Sequence, residues 1–367
     1  MLNSMESRPL TDVKKHVVIL GATGNIGGMC LDVLKGSCYQ IVGITGYSQK
    51  DKLNSIKDEF SVQFASSLMD ESVTDFVETI ADTYSPNDTI FINAIDGFDG
   101  LKASIEVIHH GFDIILANKE TIVAGGRLFL DDVKSRGVNI IPIDSEMYAL
   151  SSLIKMVDSS SVDKYIITAS GGAFLSLKRD ELHGVTYSDA IKHPVWRMGN
   201  HISLNSATLL NKALEIIEAR NLFNLDNDKI EVVIHKEGFV HGALLLKNGT
   251  LIPQVYPPSQ KVAIRNTLEL ERESSQSFLD RPLTLNFEKP DFERFPFLTL
   301  GFDALSSDSK AVVLLSRGEA ASEMFRNGKI AFDEIEGFVK SKYAALSTFT
   351  IKSYDDIFEL DRLSRIV

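Results

Sequence analysis

The chain has 367 residues, 44% hydrophobic and 24% charged, which excludes a disordered or collagen-like protein and, at roughly 150 residues per domain, predicts two or three globular domains. Lys and Arg number 38 against 50 Asp and Glu, a net charge of −12 that argues against nucleic acid or an anionic membrane as partner, although a local basic pocket can still hold a phosphate. Two cysteines, Cys30 and Cys38, are too few for a disulfide framework or a thiolate metal site. No apolar run reaches the roughly 18 residues of a membrane-spanning helix, and Met1 to Lys15 lack the apolar core of a signal peptide, so a cytoplasmic protein is expected.

His16-Val-Val-Ile-Leu20 is the kind of apolar run that forms a buried strand. Gly21-Ala-Thr-Gly-Asn-Ile-Gly27 follows, then a helical pattern through Leu31, Val33 and Leu34, then a second strand, Gln40-Ile-Val-Gly-Ile-Thr45. A βαβ unit of this length, about thirty residues, is the smallest piece of a parallel, doubly wound sheet. The alternation continues through Thr89–Asn93, Asp113–Ala117 and Asn139–Ile143, so residues 12–143 read as a Rossmann-like α/β domain. Beyond it, Tyr165–Thr168, Glu231–His235 and Gly242–Leu246 read as strands, with a long helix from about Ser206 to Arg220 between the first two. These make 144–273 a central α+β domain. Pro282, Pro290 and Pro296 mark 274–297 as an extended linker, and 298–367 carries the periodicity of a small helical domain.

Gly21, Gly24 and Gly27 lie between a strand and a helix, where a tight backbone turn leaves the helix N-terminus open to a pyrophosphate. A purely structural turn is the alternative. After the second strand the chain reads Gly46-Tyr47-Ser48-Gln49-Lys50, with no acid until Asp51. A hydroxyl and a lysine suit a ribose 2′-phosphate better than a free 2′-hydroxyl, so NADPH is expected rather than NADH.

Asp144 and Glu146 follow a strand end at the carboxyl edge of the sheet, and two apart in extended chain they point to one side. An all-oxygen pair of this kind suits Mg²⁺ or Mn²⁺. Taken alone, Asp-Ser-Glu reads more readily as a helix N-cap. A second cluster favours the metal: in Ser206-Ala-Thr-Leu-Leu-Asn-Lys-Ala-Leu-Glu215, Asn211 and Glu215 stand one helical turn apart beside Lys212. Glu215 then completes a carboxylate trio, while Lys212, Asn211, Ser203 and Ser206 bind a phosphate. Ser170-Gly171-Gly172 adds a hydroxyl and backbone N–H groups suited to an anion. Trp196, the only tryptophan, sits in His193-Pro-Val-Trp-Arg-Met-Gly199 and reads either as core or as part of a lid near 193–200.

With Ala117-Asn-Lys-Glu120, these segments make the chain resemble the 1-deoxy-D-xylulose 5-phosphate reductoisomerase family over roughly residues 16–360, in unbroken order. The resemblance implies an NADPH- and metal-dependent oxidoreductase of isoprenoid biosynthesis, a homodimer that rearranges a sugar phosphate and reduces the product. It implies Asp144, Glu146 and Glu215 as metal ligands and Ser170, Ser206, Asn211 and Lys212 as phosphate-binding groups. Ser145 and Lys119 match residues where substrate and nicotinamide meet; His193 and Trp196 match a flap over the substrate, and His241 a histidine of the pocket. Gly21, Thr23, Gly24, Asn25 and Ile26 match the pyrophosphate loop. Gly46, Ser48, Asn118, Glu120 and Gly199 complete the cofactor contacts.

Several positions depart from the family pattern. Met147 stands where a histidine is usual, Val195 and Arg197 where the flap has Asn and Ser, and Asn205 where an Asp precedes Ser206. Gly238 replaces a serine, Pro258-Ser259-Gln260 replaces Pro-Asp-Met, and Leu315-Ser-Arg-Gly-Glu319 replaces Asn-Ala-Ala-Asn-Glu. Read as changes in the flap and pocket wall, they raise an alternative: the same chemistry on a more polar ketose, xylulose or ribulose 5-phosphate. A catalytically silent NADPH-binding protein and a plain dehydrogenase are further readings, which the intact acid trio and the adjoining phosphate groups disfavour.

Overall fold

The computed structural model describes residues 14–192, 195, 199–270 and 282–366. In chain order its elements begin with β1 (His16–Leu20), α1 (Asn25–Leu34), β2 (Gln40–Gly46), α2 (Lys50–Phe60), β3 (Phe64–Ser67), α3 (Val73–Thr83), β4 (Thr89–Asn93) and α4 (Gly97–His109). Then come β5 (Asp113–Leu116), α5 (Lys119–Arg136), β6 (Ile140–Pro142), α6 (Ser145–Ile154), β7 (Val162–Ala169), α7 (Tyr187–Ala190), α8 (Asn200–Ala207) and α9 (Leu210–Phe223). The remainder is β8 (Ile230–Ile234), β9 (Val240–Leu246), β10 (Leu251–Val255), α10 (Gln260–Thr267), α11 (Pro296–Ala304), α12 (Asp308–Arg326), α13 (Ile335–Leu346) and α14 (Tyr354–Arg365).

The chain divides into two compact units. The first runs up to Thr121, resumes over Phe129–Tyr148 and takes in the stretch that begins at Ser259. Its six strands are all parallel, in the order β3-β2-β1-β4-β5-β6, the doubly wound arrangement expected of residues 12–143. Val17, Val18, Ile19 and Leu20 are fully buried, as in a strand covered on both faces, which is why β1 reads as an unbroken apolar run. β3 escapes a pattern reading because Phe-Ala-Ser-Ser is an edge strand with little apolar signal. α10 packs on α1: Ile264 and Leu268 join the core with Leu31 and Leu34, the Tyr39 hydroxyl donates to the Leu268 carbonyl (3.2 Å), and Lys261 pairs with Asp32 (2.8 Å). Hence this unit is discontinuous in sequence, whereas the boundaries at 143 and 273 draw consecutive segments.

The second unit comprises Ile122–Leu128, Ala149–Pro258 and the C-terminal helices. Its four-stranded sheet has the order β10-β9-β7-β8, with β7 and β8 parallel and the other pairs antiparallel. β10 is an edge strand, the place where Pro253 is tolerated. The single helix expected from Ser206 to Arg220 is two helices: Leu209 is left-handed at φ 58° and separates α8 from α9. Part of the expected linker is ordered by an isolated bridge between Glu288 and Ile234, and Pro296 already belongs to the first turn of α11. Among the described residues, no helix is long and apolar enough to cross a membrane.

Candidate active site

In the first unit the carboxyl ends of the strands carry the candidate residues. Gly21 directly follows β1 at φ 84°, and a Cβ there would lie 2.6 Å from the Ala94 carbonyl oxygen, so both the turn and the approach to the end of β4 require glycine. The Gly21 N–H donates to Thr45 Oγ1 (3.0 Å) and the Ala22 N–H to the Thr45 carbonyl (2.7 Å). Gly24 is the N-cap of α1 and has no capping side chain, which leaves the first N–H groups of the helix without a side-chain acceptor, the arrangement an anion can use. Thr23 is buried, its methyl filling the space over Gly46, and its carbonyl accepts from Lys52 Nζ (2.7 Å). Ser48 is exposed beyond the end of β2.

Asn118 is the N-cap of α5. Its Oδ1 accepts from the Thr121 N–H (2.7 Å) and Oγ1 (2.6 Å), and its Nδ2 donates to the carbonyls of Ile95 (2.6 Å) and Gly97 (3.2 Å). The side chain thus ties the loop after β4 to the start of α5. Asn93, buried at the end of β4, does the same for Gly100 and Ser104. Sequence reading missed Asn93; the signal is a polar residue closing an otherwise apolar buried strand. Lys119 opens α5, buried, with Nζ 2.6 Å from Asp144 Oδ2, and the half-buried Glu120 follows in the first turn.

Asp144 directly precedes α6, and its Oδ1 accepts from the Glu146 N–H (3.2 Å). The N-cap reading and the pairing with Lys119 therefore hold together, one on each carboxylate oxygen. Glu146 lies in the first helical turn rather than in extended chain; Asp144 and Glu146 each offer a carboxylate oxygen within 4.8 Å of the other. The Ser145 hydroxyl donates to Glu146 Oε2.

In the second unit, Ser170 follows β7, and Gly171 and Gly172 turn the chain at φ 94° and 69°. A Cβ on Gly172 would run into the Ser206 carbonyl and come within 2.8 Å of Ala207 Cα, so only glycine seats this loop against the end of α8. That contact brings the Ser170 loop to Ser206. On α9, Lys212 Nζ and Asn211 Nδ2 both donate to the carboxylate of Glu215, which is 1% exposed. A carboxylate so deep is retained only with such partners. Ser203 is buried in α8 and Gly199 is that helix's N-cap. His241, on β9, is buried, stacks on Tyr256 with centroids 3.8 Å apart, and bonds through Nε2 to the Tyr256 carbonyl (3.2 Å). His193, Trp196 and Arg197 lie outside the described residues.

Family models match along the chain: 1-deoxy-D-xylulose 5-phosphate reductoisomerase at residues 17–86 and 77–126, its C-terminal domain at 140–223, and DXP reductoisomerase C-terminal domain at 256–367. The 1-deoxy-D-xylulose 5-phosphate reductoisomerase of Treponema denticola is 36% identical over 370 residues, covering 96% of each chain. The chain belongs to the 1-deoxy-D-xylulose 5-phosphate reductoisomerase family. The reductoisomerase of Thermoanaerobacter pseudethanolicus is 33% identical over 95% of this chain and 97% of its own. Among solved structures, the reductoisomerase from Zymomonas mobilis in complex with NADPH matches with a TM-score of 0.81 at 29% identity, covering 96% of this chain and 97% of that one. A DOX-P reductoisomerase in complex with NADPH, fosmidomycin and magnesium matches with a TM-score of 0.84 at 28% identity, covering 96% of both.

Within the reductoisomerase family pattern, several departures have accounts in local packing. Met147 is fully buried, a core side chain of α6. Gly238 lies in the turn between β8 and β9 at φ 68°, a conformation that favours glycine over serine. Asn205 is buried and its Oδ1 accepts from Ser322 Oγ (3.0 Å). Gln260 donates to the Ile143 carbonyl. Arg317 is buried among the C-terminal helices, where it donates to the Ser364 carbonyl (3.0 Å) and Ser341 Oγ (2.8 Å).

Proposed function

We propose that this enzyme converts 1-deoxy-D-xylulose 5-phosphate to 2-C-methyl-D-erythritol 4-phosphate, by retro-aldol and aldol rearrangement of the carbon skeleton and then hydride transfer, with NADPH and Mg²⁺ as cofactors. The observation that carries this reading is the ion pair of buried Lys119 with Asp144 beside Glu146, at the carboxyl edge of a sheet whose β1–α1 turn suits a pyrophosphate. Asp144, Glu146 and Glu215 each offer one carboxylate oxygen, a donor set that fits a hard divalent cation. When bound, the cation supplies Lewis-acid polarisation of the ketone and its neighbouring hydroxyl, and the nicotinamide supplies hydride.

The chain's own residues position and enclose the substrate. Ser170, Ser206, Asn211 and Lys212 bind the phosphate, and that remote binding energy fixes the reacting end. Ser145, Lys119 and His241 line the reacting end. His193 and Trp196 close over it and exclude water. Thr23, Gly24, Asn25 and Ile26 hold the pyrophosphate, with Gly46, Ser48, Glu120 and Gly199 along the rest of the dinucleotide and Asn118 keeping the loop after β4 in place. Two copies form the working homodimer.

The test follows NADPH absorbance with Mg²⁺ and, in parallel, 1-deoxyxylulose, xylulose or ribulose 5-phosphate. Oxidation with the deoxy sugar, lost on chelation and yielding the branched product, is the expected result. Turnover of a hydroxylated ketose alone would transfer the chemistry to that substrate, and reduction without rearrangement would make the protein a plain dehydrogenase.

A further inference from the structure

The turn after β2 bears on cofactor choice in a way the local sequence conceals. NAD-selective Rossmann folds place an acid there to accept from the ribose 2′-hydroxyl, and this chain has none between Gly46 and Lys50. The loop after the neighbouring strand β3 carries one, Asp70. The Leu68 N–H donates to the Gly46 carbonyl (2.8 Å) and Ser67 Oγ to the Tyr47 carbonyl (2.8 Å), so the loop after β3 is stitched along the 46–48 turn. The Asp70 N–H closes that loop on the Ser67 carbonyl (2.9 Å). Asp70 then faces Lys50, with its two oxygens 2.8 and 2.7 Å from the ammonium.

Two lysines stand in the first turn of α2, and their partners separate their roles. Lys52 is held on the Thr23 carbonyl (2.7 Å) and belongs to the pyrophosphate loop. Lys50 is held by an acid in an exposed pair, with 54% and 59% of the side chains open to solvent. Such a pair is weak and exchanges readily for a better anion.

We propose that Lys50 and Asp70 together set the dinucleotide preference: Lys50 leaves Asp70 for the 2′-phosphate of NADPH, and Asp70, when Lys50 is absent, accepts from the 2′-hydroxyl of NADH. Lys50 thus has two functions, as phosphate ligand and as a mask on an acid that otherwise favours the wrong nucleotide. This rests on the NADPH reading above and adds the residues that enforce it.

The experiment measures dissociation constants of NADPH and NADH for the full-length protein without substrate, from nicotinamide fluorescence. K50M is expected to weaken NADPH by at least about tenfold, the scale of one charge-assisted hydrogen bond, while NADH binds at least as tightly as before. D70N is expected to leave NADH unchanged, because Lys50 already masks Asp70, and to leave NADPH at least as tight, while K50M/D70N is expected to lose any gain for NADH. Equal losses for both nucleotides in K50M, or no change in either, overturn the proposal. NADPH selectivity that ignores Lys50 sinks this inference alone, whereas wild-type protein that binds neither nucleotide overturns the NADPH reading with it. Melting curves of the variants verify that removing an exposed pair leaves the fold intact.

Discussion

Lys212 and Arg317 are buried almost equally, at 4% and 1% exposure, yet their charges are met in opposite ways. Lys212 sits one turn before Glu215 on α9 and meets its carboxylate, to which Asn211 also donates. Among the described residues Arg317 has no ion-pair partner: its guanidinium donates to the carbonyls of Phe338, Ser364 and Ile366 and to Ser341 Oγ, and lies 3.9 Å over the Phe338 ring. Burial pulls the Arg317 guanidinium below its ordinary pKa, as expected for a cation surrounded by dipoles, and it still stays protonated at any accessible pH. A cation balanced by a carboxylate keeps donors that a phosphate can share. One fanned over carbonyls of α13 and of the end of α14 is committed to holding them together.

The largest effect that tests this contrast is on turnover. Glu215→Gln keeps the volume of the side chain but removes both a proposed cation ligand and the counter-charge of Lys212. NADPH oxidation with the deoxy sugar is expected to fall at least about a thousandfold, several kcal/mol of transition-state stabilisation. Stability is expected to fall by about 3–5 kcal/mol, because breaking one partner of a buried pair leaves the other uncompensated. Lys212→Met in the same chain should restore most of the stability and none of the activity. If the double variant melts no higher than Glu215→Gln, the pair is not what balances the charge.

Arg317 has no carboxylate to remove with it, so no second substitution should rescue its loss. Arg317→Met is expected to cost about 3–5 kcal/mol in urea unfolding, from several buried acceptors deprived of a charged donor. Arg317→Lys should recover less than half of that, since a point charge cannot span acceptors arranged for a planar fork. Turnover below the melting range should stay within about twofold in both, because the hydrogen bonds and ring contact of Arg317 lie in or just after the C-terminal helices. A large loss of turnover in a fully folded Arg317→Met would break the distinction.

What a single sequence conveys follows the same physics. The first sheet is legible because parallel strands covered on both faces must be apolar throughout, as Val17 to Leu20 are. β3 and β10 are less legible: both are edge strands, one ending in two serines and one carrying Pro253. The break between α8 and α9 is hidden because it falls on a left-handed leucine, with no glycine or proline to mark it. In the site, the spacing of Asn211, Lys212 and Glu215 is visible from helical periodicity, and the bonds on α9 follow it. The joint use of Asp144 as cap and as partner of Lys119 depends on which oxygen faces which neighbour, and that is a matter of tertiary placement. The burial of Met147 and the left-handed φ of Gly238 likewise leave no trace in residue type.

The smallest effect concerns a charge that is only half-buried. Asp189, at the third position of α7, accepts from Thr186 Oγ1 (2.5 Å), Lys192 Nζ (3.0 Å) and the Thr186 N–H (3.2 Å). The Thr186 hydroxyl first, then Lys192 and the Thr186 N–H, hold its carboxyl down to about 2 from the ordinary 3.8. A depressed carboxyl stabilises the fold above its unfolded pKa, and that contribution fades as pH falls from 3.8 towards about 2. Carboxyl-carbon NMR of the native protein should therefore find Asp189 still ionised where exposed acids have protonated. Asp189→Asn should flatten the acid limb of the stability profile only within that window and leave turnover at neutral pH unchanged. Titration of Asp189 near 3.8 would mean that hydrogen bonds at a half-buried site do not hold a charge here, leaving Lys212 with Glu215 and Arg317 with its carbonyls as the two arrangements that do.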